Sequence, residues 1–246
     1  MTTDPAHALA GTRRERLRET TVAEILSVAR RHVVADGPQA VSMRAVARDM
    51  GMTAPALYRY FASLDDLVTS LITHLYREVT HEMEQARDAV DADDLGGRLV
   101  EVSRAFRRWA VRHPGEFGLI FGSPVPGLAV PADGPAADAG QRFGGVFAGL
   151  FAELWARQPF PVAPDDTIEP RLAAQLAAYA ERLGVALPLG TLQVFMTAWV
   201  RLYGTVTMEV FGHMEFAVDD GEPLFELQLR DLGEVMGITD AYRPPA

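Results

Sequence analysis

Two residue types are missing from this chain of 246 residues: it contains no cysteine and no lysine. Without cysteine there is no disulfide scaffold, cysteine nucleophile, zinc ribbon or iron–sulfur cluster. Without lysine there is no phosphate-loop lysine, no Schiff-base chemistry and no kinase ATP-binding lysine. All 23 basic residues are therefore arginines, and many enzyme classes are excluded.

Charge is distributed unevenly along the chain, whose overall net charge is −10. Residues 1–61 hold nine arginines against six acidic residues, a net charge of +3, and the rest holds 14 arginines against 27 acidic residues, a net charge of −13. A small basic module can bind phosphates while an acidic remainder keeps the protein soluble. The N-terminal quarter is therefore the segment in which to look for an anionic partner.

Neither a secretion signal nor a membrane span is expected. The segment 1–5 is acidic and lacks an apolar signal region. The longest uncharged run, 183–200, is interrupted by glycine, proline and glutamine, and its helix continues through Arg201 and Glu209, which a bilayer would penalise. We interpret this run as a buried helix and expect a cytoplasmic protein with no membrane partner.

Apolar residues recur at helical spacing along the chain, and no strand-like alternation is found. The predicted fold class is all-α, with an N-terminal three-helix helix-turn-helix domain at residues 12–62 and a larger helical bundle at residues 63–240. Beyond residue 90, helices are predicted near 94–112, 137–157, 167–183, 189–212 and 222–236. Pro-rich and Gly-rich sequence at 122–136 predicts a loop between two of them.

Residues 42–61 predict the helix-turn-helix itself. A short helix with Ser42 as its N-cap ends at Gly51, and a second helix begins after Thr53 with Pro55 in its first turn. The second helix of such a motif enters the major groove with its N-terminal residues nearest the bases. Leu57 would lie on the inner face and leave its neighbours exposed.

The outward residues of this motif have side chains that suit DNA. Hydroxyl groups and guanidinium groups can contact phosphates, arginine can also reach base edges, and small alanines allow close approach to thymine methyl groups. If these were only three core helices, the exposed Tyr58, Arg59 and Tyr60 would have no purpose. The candidate DNA-binding residues are Ser42, Arg44, Thr53, Ala54, Pro55, Ala56, Tyr58, Arg59, Tyr60 and Ser63.

The arginines at 13, 14, 16 and 18 precede this motif and allow two interpretations. They form either an arm that enters the minor groove, or the solvated start of a helix in which arginine and glutamate alternate. Both alternatives stay open at the level of the sequence.

The segment from Thr20 to Leu75 resembles the DNA-binding domain of TetR/AcrR-family transcriptional regulators. The resemblance is carried by residues 25–29, by residues 42–47 and above all by Leu57-Tyr58-Arg59-Tyr60-Phe61, followed by Ser63. In the family a lysine often follows that serine and contacts a phosphate, whereas this chain has Leu64. Residues 113–121, together with Trp199, Gly204 and Glu209, resemble one branch of the family's C-terminal domains.

The resemblance implies a non-enzymatic regulator, most simply a repressor, that binds a palindromic double-stranded DNA operator as a homodimer. It also implies a C-terminal domain that binds a small effector and dimerises through its last two helices, without cofactor or metal. Two apolar stripes agree with such an interface, and Gly204 and Gly212 would permit close helix approach. The predicted interface residues are Trp199, Leu202, Val206, Val210, Phe225, Leu229, Leu232 and Met236.

Aromatic residues of the C-terminal part are candidates for lining a ligand pocket, and they favour a largely apolar ligand. Arg107, Arg108 and Arg112 could pair with an anionic ligand, although surface positions are the simpler interpretation. The predicted ligand-binding residues are Trp109, Phe117, Phe121, Phe147, Phe151, Tyr179 and Phe195.

Two other functions are compatible with the sequence. His74, Glu78 and His81 share one helix face at i, i+4 and i+7 and could bind a metal, which would fit a helical enzyme or metal-binding protein that retains a helix-turn-helix scaffold. A solvated helix face is the simpler explanation of that spacing. The other alternative is a constitutive DNA-binding dimer without an effector, which would have a packed core without a cavity.

Overall fold

The structure, a computed structural model, describes the backbone of residues 5–124 and 127–244 and the side chains from residue 13 onward. Within these residues the regular structure is helical, as the sequence predicts. The α-helices are α1 Pro5–Asp36, α2 Met43–Asp49, α3 Ala54–Leu57, α4 Leu64–Asp88, α5 Leu95–Arg112, α6 Pro114–Phe121, α7 Pro135–Arg157, α8 Pro170–Leu183, α9 Leu189–Val210 and α10 Glu222–Val235.

Most helix boundaries follow from local chemistry. Proline occupies the first turn of α6, α8 and α10, where its missing N–H would have no helical partner in any case. The helix α8 ends at Gly184, whose φ of 65° is the left-handed conformation that terminates helices. The helix α1 begins at residue 5, before the predicted start of the domain at residue 12, and α6 is an additional helix.

The chain forms two compact units, which we call unit 1 (residues 1–77 and 113–140) and unit 2 (residues 78–112 and 141–246). The helices α4 and α7 each contribute to both units. Unit 1 contains the whole helix-turn-helix and also α6, which the sequence analysis assigned to the second domain. The predicted functional boundary after residue 62 stays a prediction.

In unit 1, the helix-turn-helix is built on the apolar face of α1. Ile25 and Ala29 of α1 are fully buried, as are Val46 of α2 and Leu57 of α3, and all four are among the apolar positions expected from the spacing.

The helix α6 packs directly on α1 in the same unit. Gly115 approaches the backbone of Val33 so closely that an added Cβ would lie 3.2 Å from its carbonyl oxygen. Beside this contact, the Arg30 Nε donates to the buried Glu116 Oε1 at 2.7 Å. The contact between α1 and α6 therefore combines close backbone packing with a shielded ion pair.

In unit 2, two arginines of α5 are buried and held by carboxylates of α9 and α10. Arg104 donates from Nε and Nη2 to the two carboxylate oxygens of Glu226, at 2.8 and 2.6 Å. Arg107 donates in the same two-pronged way to Glu209, at 2.8 and 2.6 Å, and also to Glu222. These pairs tie α5 to the last two helices.

The pKa values of these two guanidinium groups are both raised. For Arg104 the main cause is the hydrogen bond with Glu226, which outweighs the opposing effect of burial. For Arg107 burial acts to lower the pKa, but the hydrogen bond with Glu209 and the neighbouring charges more than offset it. Both side chains therefore stay charged while buried.

None of the helices within the described ranges has a stretch long and apolar enough to cross a bilayer. This agrees with the interpretation of residues 183–200, most of whose length lies in α9.

Candidate nucleic-acid interface

The turn between α2 and α3 has a backbone geometry that explains its glycine. Gly51 has a φ of 64°, in the left-handed region that side chains with a Cβ disfavour. Its N–H donates to the Arg48 carbonyl at 3.0 Å, and the N–H of Met52 reaches back to the Ala47 carbonyl at 2.8 Å. This bonding closes the C-terminus of α2 and sets the direction in which α3 begins.

Three hydroxyl residues cap the helices of this region, as the sequence predicts. Ser42 Oγ accepts the Ala45 N–H at 3.2 Å at the start of α2. Thr53 Oγ1 accepts the Ala56 N–H at 3.3 Å at the start of α3.

The third cap, Ser63, begins α4. Its Oγ accepts the Asp66 N–H at 3.0 Å, while the Asp66 carboxylate accepts the Ala62 N–H at 2.9 Å. In all three caps the hydroxyl accepts from the backbone, so its own hydrogen is available for donation to an external oxygen.

The regular part of α3 is short, and the residues after it continue as hydrogen-bonded turns. Its regular part comprises only residues 54–57, of which Leu57 is buried. The N–H of Tyr58 still donates to the Ala54 carbonyl at 3.1 Å, and that of Tyr60 to the Leu57 carbonyl at 2.9 Å. The segment therefore keeps a helical path while presenting Tyr58, about half of whose surface is exposed, to solvent.

Exposed guanidinium groups surround this segment. Within the parts of the chain that the structure describes, the side chains of Arg44 and Arg59 form no ion pair, whereas Arg48 is paired with Asp49 at 3.2 Å. Arg18 of α1 lies over the Tyr60 ring, 5.3 Å from its centroid, and donates to the Arg59 carbonyl at 3.4 Å. The surface thus combines unneutralised positive charge with free hydroxyl donors, the groups that bind phosphates.

Unit 2 contains an apolar cavity of about 60 Å³ between α5, α7, α9 and α10. Its polar groups come from Ser103, Trp199 and Tyr203, and the Ser103 hydroxyl already donates to the Leu99 carbonyl at 2.7 Å. Trp199 stacks on Tyr203 with ring centroids 5.4 Å apart. The lining residues are Leu99, Val100, Ser103, Phe106, Phe147, Phe151, Phe195, Ala198, Trp199, Leu202, Tyr203, Leu229, Leu232, Met236 and Ile238.

Comparison with known families gives two matches along the chain. The family profile described as "Bacterial regulatory proteins, tetR family" matches residues 25–71. The profile described as "Tetracyclin repressor-like, C-terminal domain" matches residues 99–232, more than half of the chain. The chain belongs to the TetR family of transcriptional regulators.

Relatives of nearly the same length support this assignment. HTH-type transcriptional regulators of Mycobacterium tuberculosis and Mycobacterium bovis are 31% identical over 228 residues, which cover 92% of this chain and 96% of each relative. The crystal structure of a protein described as a regulatory protein, SCO4313, is 30% identical with a TM-score of 0.72, covering 89% of this chain and 97% of that one.

A second similar structure is that of RolR in complex with its ligand resorcinol. Its TM-score is 0.51 and its sequence is 16% identical, over 94% of this chain and 98% of that one. At this identity the likeness concerns the fold.

As a TetR-family member, the chain has a DNA-binding helix-turn-helix. Nine of the ten predicted DNA-binding residues lie in its residues 42–60, and Ser63 follows at the start of α4. Arg44 is exposed in the first turn of α2, and Tyr58 and Arg59 are exposed just after α3.

The predicted ligand-binding residues divide into two groups. Phe147, Phe151 and Phe195 line the cavity of unit 2. The remaining four, Trp109, Phe117, Phe121 and Tyr179, do not line it, and their part in ligand binding stays a prediction.

These four residues have other surroundings. Trp109 is fully buried, and its indole N–H donates to Glu78 at 2.9 Å. Phe117 and Phe121 belong to unit 1 and contact each other, with ring centroids 5.0 Å apart. Tyr179 lies on α8 with Arg182 over its ring. Aromatic composition selected them, but packing within the protomer explains them.

The predicted dimer interface stays a prediction, and most of its residues are covered within the protomer. Five of the eight are buried there, namely Val206, Phe225, Leu229, Leu232 and Met236. Trp199 and Leu202 line the cavity, and Val210 is half-buried. Gly212 has a φ of 71° just after α9, so it is required by the turn rather than by helix approach.

Sequence reasoning missed several paired charges. Arg107 is neither a surface residue nor available to a ligand, because it is buried against Glu209 and Glu222. Glu78, part of the suggested metal face, accepts the Trp109 indole N–H. In residues 5–124 and 127–244 no three histidine, aspartate or glutamate residues are grouped closely enough to hold a metal ion. The buried pairs join residues about a hundred positions apart, so no local pattern indicates them.

Proposed function

We propose that this TetR-family regulator is a cytoplasmic repressor that binds a palindromic operator as a homodimer and is released by a small, largely apolar molecule. The observation that carries the DNA-binding part is the surface of α2 and α3, where arginines without ion pairs and free hydroxyl donors surround a capped helix start. Two such surfaces related by a twofold axis would read half-sites about 34–36 Å apart.

Each predicted residue has a role in this proposal. Ser42, Thr53 and Ser63 donate their remaining hydroxyl hydrogen to phosphates while their oxygens keep the helix caps. Pro55 starts α3, and the small Ala54 and Ala56 allow close approach to the bases. Arg44 reaches a base edge or phosphate from the first turn of α2. Tyr58, Arg59 and Tyr60, which follow the C-terminus of α3, contact the DNA backbone.

Two substitutions distinguish base reading from phosphate contact. Tyr58→Phe removes one phosphate hydrogen bond and is expected to weaken operator binding by about 1 kcal/mol, equally on all sequences. Arg44→Ala is expected to cost about 1–3 kcal/mol and to relax base preference if the arginine is bidentate to guanine. Titration of fluorescent duplexes by anisotropy measures both, and wild-type affinity in both variants would contradict these assignments.

The homodimer is proposed to form through a face of α9 and α10 other than the predicted one. On α9, Val200, Gly204 and Met208 are spaced by four residues and form one stripe, in which Val200 and Met208 are exposed. On α10, Leu227 and Val235 are exposed as well. Exposed apolar rows on neighbouring helices are typical of a subunit contact.

Gly204 gives a test of this face. Glycine in a helix interior costs about 1 kcal/mol relative to alanine, yet a Cβ at this position would meet no atom within 4 Å in the protomer. Close approach by a second subunit would account for it.

We expect Gly204→Leu to raise the thermal stability of the protomer and to shift the protein from dimer to monomer in analytical ultracentrifugation. Gly149→Leu is the matched control, because this glycine also lies in a helix with no atom near its added Cβ, but on α7. A Gly204→Leu variant that stays fully dimeric would contradict the proposed face.

The cavity of unit 2 supports the effector part of the proposal. A volume of about 60 Å³ is far below the roughly 300–1,000 Å³ of ordinary ligand sites, so an effector must spread the surrounding side chains. Because the lining belongs to α5, α7, α9 and α10, such a change would act on the proposed dimer face. The apolar lining with a few hydroxyl groups favours small phenols, and the resorcinol complex of RolR makes resorcinol a rational first probe.

The decisive experiment is selection of binding sites from random duplex DNA with the purified protein at two salt concentrations. A palindromic consensus whose affinity falls steeply with salt would support the dimeric DNA reader, and absence of enrichment at both salts would contradict it. Titrating the bound operator with resorcinol and related phenols, and with metabolite extracts, tests the effector. An operator affinity unchanged by every added compound would favour a constitutive DNA-binding dimer. This is the second candidate function, because the cavity of unit 2 is small.

A further inference from the structure

The helix α1 extends well beyond the core that it helps to form. It begins at Pro5, whereas the first of its fully buried side chains is Ile25. Every described side chain between residues 13 and 20 is exposed. This stretch, Arg13–Thr20, contributes nothing to the core of unit 1, and four of its eight residues are arginines. We call it the basic extension.

The basic extension is joined to the recognition segment by Arg18. Its guanidinium lies 5.3 Å from the centroid of the Tyr60 ring and donates to the Arg59 carbonyl at 3.4 Å. Tyr60 and Arg59 belong to the surface proposed to bind DNA. The extension is therefore a helical continuation of that surface, in contact with it through Arg18.

The next arginine on the same side is Arg14. At 3.6 residues per turn, Arg14 lies about 40° around the helix from Arg18 and about 6 Å further from the core. Ile25 lies within about 20° of Arg18 on the same wheel, so this is the side of α1 that faces the helix-turn-helix. Arg13, by contrast, lies about 140° away from Arg18, on the other side.

The charge on this side is not neutralised within the protomer. Neither Arg14 nor Arg18 forms an ion pair with any residue whose side chain the structure describes. A row of guanidinium groups that continues a DNA-binding surface complements the next phosphates along the same duplex.

We propose that Arg14 and Arg18 of the basic extension bind phosphates of the duplex that flanks each operator half-site. This inference rests on the proposed DNA-binding function and adds a second contact region to it. Because phosphate contacts carry no sequence information, the extension lengthens the footprint and raises affinity without changing the consensus.

The test compares Arg14→Ala with Arg13→Ala in the full-length protein. The probes are two duplexes, one with about ten base pairs of flanking DNA on each side and one cut at the outer edges of the half-sites. On the long duplex each lost phosphate contact lowers the salt slope by about 0.9, so a dimer should lose about 2 and bind roughly 10- to 100-fold more weakly at about 0.1 M salt. Arg13→Ala should behave as wild type.

On the short duplex the wild-type protein and Arg14→Ala should bind equally, because the flanking phosphates are absent. Unchanged salt slope and affinity of Arg14→Ala on the long duplex would overturn the inference and make the extension a solvated surface, while the proposed function would stand. If the wild-type protein bound neither duplex, the proposed function itself would fail. An altered consensus in Arg14→Ala would also overturn the assignment to phosphates.

Discussion

Replacing Glu226 by alanine is expected to lower the free energy of unfolding of unit 2 by about 3 kcal/mol. The substitution leaves the Arg104 guanidinium buried without the two oxygens that it now contacts at 2.6 and 2.8 Å. Breaking one partner of a buried pair costs roughly 3–5 kcal/mol. We expect the lower end because Glu101, which accepts from Arg104 at 2.8 Å, remains as a partial partner.

Between about pH 6 and pH 9, Arg104 should contribute no pH dependence to the loss of unfolding free energy in Glu226→Ala. Its pKa is raised from the ordinary value, chiefly by the hydrogen bond with Glu226. A raised pKa contributes stability at every pH below the unfolded value, and the pH range of the experiment lies entirely below it. Arg104 is therefore charged throughout, in the folded and in the unfolded chain.

Tryptophan fluorescence during urea unfolding measures this effect selectively, because Trp109, Trp155 and Trp199 all belong to unit 2. The matched control is the double variant Arg104→Met with Glu226→Leu, which removes both charges and should be neutral or more stable. Glu226→Ala with wild-type stability, or a double variant as unstable as the single one, would contradict the role assigned to the pair.

The helix-turn-helix could be predicted almost completely from the sequence because its determinants are local. Ser42, Thr53 and Ser63 each accept a backbone N–H three residues ahead, so the cap and its partner lie in the same short window. Gly51 is likewise required by its own positive φ. Local chemistry of this kind needs no knowledge of the rest of the fold.

The orientation of α9 could not be predicted in the same way because this helix is apolar on more than one side. Phe195, Trp199 and Val206 face the interior, while Val200 and Met208 are exposed on the protomer. Apolar periodicity alone does not show which of two apolar faces meets the protomer's own core. The inward stripe was the predicted interface, whereas the exposed row became visible only from the packing of the protomer.

Buried charged pairs are the second kind of feature that the sequence patterns did not indicate. A lone arginine on α5 has the same local context whether it lies in solvent or against Glu209, about a hundred residues away. The contact of Arg18 with Tyr60 has the same origin, since 42 positions separate the two residues. Such pairs follow from tertiary structure, and in this chain they tie α5 to the last two helices and join the basic extension to the recognition segment.

Replacing Leu57 by alanine is expected to destabilise the helix-turn-helix by about 2–5 kcal/mol and to weaken operator binding at least about tenfold. Leu57 is the one residue of α3 that is buried, with no exposed surface. The helix has four regular residues, so little else holds it against α2. If DNA binding must supply about 1.4 kcal/mol to order the recognition segment, the operator affinity already falls tenfold.

Leu17→Ala is the matched control, because Leu17 lies in the same unit on α1 with 61% of its surface exposed. The same atoms are removed there, but almost no buried contact is lost, so stability should change by less than about 0.5 kcal/mol. Amide hydrogen exchange at residues 54–61 follows the effect locally, where tryptophan fluorescence is silent. Amide exchange in Leu57→Ala as slow as in Leu17→Ala, together with unchanged operator affinity, would contradict this prediction. Packing of the Leu57 side chain would then not be what positions Tyr58 and Arg59.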